Sequence, residues 1–335
     1  MKTSQSPKLP FETLPGPAYR PATGAALIAF GFLALLIGLV IPSLGQFVLI
    51  SHTFIDALID EPVTTFLIAA PSALGIFGGA WLISLGRRMR AIPADALLKD
   101  NTHPPVLFLR SFDDDDLVDP TPRMIPMGDF FPRRYEESFA NALTKVGPMV
   151  AIGRPGSTLS DLGSGRLYVP DPAWKDAVNY LRGRASAILF VVGRTEGLWW
   201  EIETSLRDVA PERLLFFFPY AEERGRRRSI WRRYFHWAPT RVPFSKAAFV
   251  RMESERQARY QTFRERIRPM LPDALPEQLG RNQFLDFDEQ HQPRLLETVQ
   301  PWWAPIAFYL PSTRKTVIDV ARTLRPFVRK LQRAT

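Results

Sequence analysis

The sequence predicts an α/β domain with a mostly parallel sheet, preceded by a pair of apolar helices. Three observations predict it. Two long N-terminal runs carry no charge. From Val106 onward, short apolar runs alternate with segments of helical periodicity, the pattern of a parallel sheet with helices on both faces. Within that region, residues 187–206, AILFVVGRTEGLWWEIETSL, join a β-branched apolar run to a helix-like segment across a short polar loop. In open α/β sheets such loops are where ligands bind.

The apolar runs come first. No charged residue falls between Arg20 and His52, or between Glu61 and Arg87. The segments at about 24–41 and 64–85 are each long enough to cross a hydrocarbon core of roughly 30 Å. Pro71 and the glycines of the second are tolerated in membrane helices. Lys2, Lys8 and Arg20 precede the first span and Arg87, Arg88 and Arg90 follow the second, whereas the connection holds Asp56, Asp60 and Glu61. Because Lys and Arg favour the cytoplasmic side, the expectation is a multi-pass inner-membrane protein with both termini and the main domain in the cytoplasm. The resulting organisation is an N-terminal segment (1–22), the two spans (23–86), a basic linker (87–104), the α/β domain (105–220) and a basic, aromatic-rich extension (221–335).

Strands are expected at 106–110, 149–152 and 187–192, each a compact apolar run, at 214–218, and for a shorter piece at 166–169. Helices are expected at 134–145, from Asp171-Pro172 to about 184 in the manner of an N-cap followed by Pro at the first position, and at 197–208. Beyond Pro219 the pattern weakens to a helix over 253–267 and a short strand at 284–287. In the tail, Val317, Ala321, Leu324, Val328 and Leu331 recur at helical spacing, and Pro326 should kink or end that helix.

Composition narrows the chemistry. The absence of cysteine excludes disulfides, thiolate metal sites and a cysteine nucleophile. The four histidines stand at no metal-ligand spacing. A formal net charge of +9 fits an anionic partner. The segment 224–237 interleaves six arginines with Trp231, Tyr234, Phe235 and Trp237. Beside a bilayer this composition is expected to meet anionic headgroups rather than nucleic acid.

Three polar loops follow three of the expected strands: RSFDDDD (110–116), GRPGSTL (153–159) and GRTEGLWWE (193–201). In a parallel sheet they leave the same edge and meet in one crevice. Glu201 is the candidate catalytic carboxylate, and Glu203 is the second candidate. Expected first-turn acids at a helix N-terminus have a simpler explanation too, as complements of the helix dipole. Arg110, with Ser111, Phe112 and Asp113, lies at the crevice mouth, where the guanidinium pairs either with a phosphate or with the aspartates. Gly153, Arg154, Pro155 and Gly156 allow close backbone approach to an anion or form a plain turn. Trp199 and Trp200, beside Glu201, could stack a base and shield the site from water, and Trp174 either gates the cleft or is an ordinary core residue. The run Asp113–Asp116 is expected to be a solvated loop with no metal; the alternative is a Mg²⁺ ion held by Asp113 and Asp115.

The order strand-RSF, strand-Gly/Pro loop, helix with Trp174, strand, then Gly197-Leu198-Trp199-Trp200-Glu201-Ile202 is similar to that of TIR-like domains and the related nucleoside 2-deoxyribosyltransferase-type folds. The resemblance covers roughly residues 105–220. It implies a flavodoxin-like fold with Glu201 acting at the ribose C1′ of NAD or a nucleotide, which would be substrates; no tightly bound cofactor is implied. In this chain Trp stands directly before the glutamate, and Arg194-Thr195-Glu196 replaces the serine of the preceding loop. Two other functions are compatible with the residues: a non-enzymatic signalling scaffold that self-associates at the membrane, and a Mg-dependent transferase using the aspartate run.

Overall fold

The computed structural model describes residues 9–48, 62–100, 103–111, 135–153, 162–220, 246–271, 275–288, 290, 292–301 and 318–334. It divides into two compact units: residues 18–91, and residues 1–17 together with 92–335.

The smaller unit is a pair of 28-residue helices, α1 (Pro21–Val48) and α2 (Pro62–Met89). Both expected spans therefore lie on helices. Among the described residues, one stretch, Pro21–Val40, is long and apolar enough to cross a membrane. The two helices meet on glycines. A Cβ at Gly31 would fall 2.7 Å from the Gly79 carbonyl oxygen, and one at Gly75 would lie 2.7 Å from the Gly38 Cα. Real Cβ atoms do not come that close, so backbone packs directly on backbone. Gly24, Gly31 and Gly38 recur every seven residues, which keeps them on one helix face. The opposite faces leave Phe30, Leu33, Leu36, Leu74 and Trp81 exposed.

The larger unit is built on a seven-stranded sheet. Its elements are α3 (Ala94–Asp100), β1 (Val106–Arg110), α4 (Tyr135–Leu143), β2 (Met149–Gly153), β3 (Gly165–Tyr168), α5 (Trp174–Arg184), β4 (Ala187–Val191), α6 (Glu196–Asp208), β5 (Leu214–Phe217), α7 (Lys246–Ile267), β6 (Phe284–Phe287), β7 (Pro293–Leu296), α8 (Val320–Thr323) and α9 (Arg325–Ala334). The strand order is β3-β2-β1-β4-β5-β6-β7. The first five strands are parallel and the last two antiparallel. The α/β class is therefore correct, and the sheet is mixed.

Strand alternation explains the two cores. In β4, Ile188 and Phe190 face one side while Leu189 and Val191 face the other, as a period of two requires. On the first face Val178, Ile202 and Phe263 bring in α5, α6 and α7. On the second, Phe139, Val320 and Phe327 bring in α4, α8 and α9. Burial of the central strands on both sides is why they read as continuous apolar runs.

Several boundaries differ from the sequence reading. The α/β unit does not close near residue 220: α7, β6, β7, α8 and α9 complete its sheet and both of its cores. Nor does it begin at 105. Leu9 and Phe11 pack on the first core, and the Leu14 amide donates to the Tyr168 carbonyl at 2.8 Å. Residues 171–173 form a 3₁₀ turn capped by Pro170, so Asp171 is not the N-cap of α5. Pro326 occupies the first turn of α9, where a missing N–H costs nothing. The tail helix is divided ahead of it, at Leu324.

Candidate active site

The sheet reverses its direction of winding at β1, which has β2 on one side and β4 on the other. Connections leaving neighbouring strands on opposite faces open a crevice at the C-terminal strand edge. A cavity of about 380 Å³ opens there, lined among others by Arg110 and Ser111 from the end of β1, Gly153 from the end of β2, Arg166, Trp174 and Glu201.

Among the described residues two carboxylates line this cavity, Asp171 and Glu201; Asp171 is exposed and Glu201 is buried. Glu201 is 9 % exposed, and burial raises its carboxyl from the ordinary 4.5 to about 8. Removal of a charged group from water favours its neutral form. No ion pair to Glu201 occurs among the described residues. Helix α6 begins at Glu196, so Glu196 is the first-turn acid, and Glu201 and Glu203 lie a turn further in. The dipole effect fades within the first turn, which removes the simpler explanation of Glu201.

Glu203 goes elsewhere. Arg266 of α7 donates to it from Nε at 2.6 Å and reaches Glu196 at 3.1 Å with Nη2. The same guanidinium lies 4.8 Å from the centre of the Trp199 ring, and Trp199 is core. Alternate positions on α6 thus divide into a cavity side and an α7 side. Trp200 is half-buried and meets Trp174 edge-on, with ring centroids 5.0 Å apart. The Lys175 ammonium lies 5.1 Å from the Trp200 ring centre.

The other polar wall centres on Glu136 of α4, a residue the sequence reading did not single out. Its carboxylate accepts from Arg166 Nη2 at 2.8 and 3.1 Å and from the Ser164 hydroxyl. Arg110 Nη2 approaches it to 3.3 Å. All three charged side chains are buried. Gly163 has φ +115°, and a Cβ there would fall 2.7 Å from the Glu136 carbonyl carbon; only glycine lets this turn close onto α4. Gly153 is needed because a Cβ would strike the Tyr168 ring at 2.6 Å.

Arg166 also lines the cavity and was missed. A hint was available: an arginine inside the short run Gly165–Tyr168 sits in a strand with no polar face. Phe112, Asp113, Asp115, Arg154, Pro155 and Gly156 lie outside the described residues, as does the 224–237 segment. Among the described residues no cluster of His, Cys, Asp and Glu forms a metal site. No protein-family profile matches the chain, and neither the curated proteins nor the solved structures include one significantly similar to it.

Proposed function

We propose that the α/β unit is a membrane-anchored enzyme that cleaves or transfers at the N-glycosidic bond of NAD or a nucleotide, with Glu201 as the catalytic carboxylate. The observation that carries this reading is the placement of a buried carboxyl, with no ion pair among the described residues, in the cavity at the strand-order reversal. Without the β3 edge strand, the order β2-β1-β4-β5 is that of a flavodoxin-like sheet, which supports the TIR-like resemblance.

The chemistry follows from burial. In the empty cavity Glu201 is mostly protonated at neutral pH. A ligand with a cationic leaving base, such as a pyridinium riboside, favours its ionised form, because an opposite charge within ~4–6 Å lowers a carboxyl pKa. As the C1′–N bond breaks, its electrons leave with the base, which departs neutral. The carboxylate stabilises the oxocarbenium-like ribosyl centre. Water, or an acceptor hydroxyl, then adds to C1′ and releases its proton. Trp174 supplies an aromatic wall for the base, with Trp200 packed edge-on behind it, and Arg110 and Arg166 supply cationic character for phosphate.

The anchor is α1 with α2 as two membrane spans. Glycine-mediated contact is typical of helix pairs in lipid, where close approach substitutes for a hydrophobic drive. The outward Phe30, Leu36 and Trp81 suit acyl chains. The connection between the spans holds Asp56, Asp60 and Glu61 and no Lys or Arg, while Arg20 and Arg87, Arg88 and Arg90 flank the pair. These positive flanks agree with a cytoplasmic domain at an inner membrane. Self-association at the membrane would suit a signalling role.

The test is incubation of the full chain, in uncharged detergent, with NAD and with nucleosides, beside Glu201→Ala. Release of free base by the wild type and not by the variant is expected. Equal release by both, or none by either, overturns the reading, and the second result favours a scaffold.

A further inference from the structure

A second cavity, of about 290 Å³, shares no lining residue with the first. Arg294 of β7 and Arg329, Lys330 and Arg333 of α9 line it, with Asp288 and Gln290. We propose that it is a binding site for a phosphate group, either free phosphate or the phosphomonoester head of a lipid.

The argument begins with charge already neutralised. Asp286 of β6, whose side chain is fully buried, accepts from Arg294 Nε at 2.9 Å and Nη2 at 2.7 Å, and from the Lys330 ammonium at 3.1 Å. This pairing fixes both cations at the cavity wall. The Asp288 carboxylate is used by the Gln290 and Gln292 amides at 2.9 Å each. Glu212 is the further acid close enough to act on Lys330. The four cations of this wall therefore outnumber the acids that act on them, and Asp286 and Asp288 are already engaged.

Arg329 and Arg333 stand outside this balance. They are exposed, one turn apart, and make no ion pair among the described residues. Like charges at that spacing repel. Arg333 lies in the last turn and offsets the helix dipole there; Arg329, a turn earlier, is beyond that effect. The helix itself is held by its other face, where Phe327, Val328 and Leu331 are buried, so neither arginine serves to dock α9. A phosphate dianion would satisfy both. Guanidinium forks match phosphate oxygens geometrically, and Arg294 Nη1 is not used in its pair with Asp286. Burial pulls the Lys330 ammonium below its ordinary value, and an added anion would restore it.

The test uses the full chain in uncharged detergent and isothermal titration at fixed ionic strength. The probes are inorganic phosphate and dihexanoyl phosphatidic acid, with dihexanoyl phosphatidylcholine as the zwitterionic control. Saturable binding is expected for phosphate if the source is free, or for phosphatidic acid alone if it is a headgroup. The double variant Arg329→Gln/Arg333→Gln should weaken it by about tenfold or more per arginine. Arg268→Gln, an exposed arginine elsewhere, should leave it unchanged. Neither probe saturating, full binding by the double variant, or an equal loss in Arg268→Gln would overturn the assignment. Its failure leaves the Glu201 reading intact, since the two cavities share no residue.

Discussion

Glu201→Gln should make the protein more stable, and increasingly so as pH rises. Burial holds the folded carboxyl at about 8 against an ordinary 4.5. Between those values the unfolded chain has released its proton and the folded chain has not. The unfolded state then binds fewer protons, so stability falls with rising pH. Below pH 4.5 both states are protonated and the contribution is whole; above about 8 both are ionised and the loss is complete. At about 1.36 kcal/mol per pH unit, the window is worth roughly 5 kcal/mol, an upper bound because water entering the cavity relieves the ionised form. Glutamine keeps the shape and has nothing to titrate. The assay is urea unfolding of both proteins at pH 5, 6, 7 and 8, followed by the fluorescence of Trp174, Trp199 and Trp200. The advantage of the variant should grow by several kcal/mol across that series. A constant gap, or a variant less stable at pH 8, would refute the burial argument and the protonation state inferred from it.

Other outcomes follow from the same packing. Glu136→Ala removes the carboxylate that Arg166 and Arg110 share in the interior and should cost roughly 3–5 kcal/mol, read as a lower urea midpoint. Trp174→Ala should weaken nucleotide binding by about 1–3 kcal/mol, the usual contribution of one stacked base, with little change in melting temperature. Gly31→Leu places a side chain against the Gly79 backbone and Ile83; α1 and α2 should separate, seen as loss of protease protection of 18–91 in detergent. In the cysteine-free background, thiols introduced as Glu12→Cys and Arg333→Cys should label from the same side of the membrane, and one at Asp56→Cys from the other.

The sequence-readable parts of the fold are those whose residues suffice by themselves. Val106–Arg110 and Phe284–Phe287 are apolar enough to be strands in any context, and their bounds agree with β1 and β6. Pro293–Leu296 is not. Only its pairing with β6 makes β7 a strand, and such a partner cannot be read from four residues. The candidate site divides in the same way. Glu201, Arg110, Gly153 and Trp174 follow strand ends, and strand ends are visible as breaks in apolar runs. The Glu136–Arg166 pair joins residues 30 apart with no spacing rule to announce it. Nothing in the local spacing separates Glu201 from Glu203; the residue that does, Arg266, reaches Glu203 from α7.

The N-terminal contact of Leu9, Phe11 and Leu14 has a consequence for the order of assembly. The Phe11 ring meets Tyr180 edge-on at 5.6 Å, and Leu14 bonds to Tyr168. These partners are synthesised more than 150 residues later than the segment that needs them. Residues 9–14 must therefore wait while both apolar helices are made, and the α/β unit can finish folding only after β3 and α5 have followed them. A soluble version of the unit cannot simply start at residue 92. It should keep residues 9–17 and bridge them to 92 with a short linker in place of 18–91, and a version lacking them should expose the Tyr168–Tyr180 surface and aggregate.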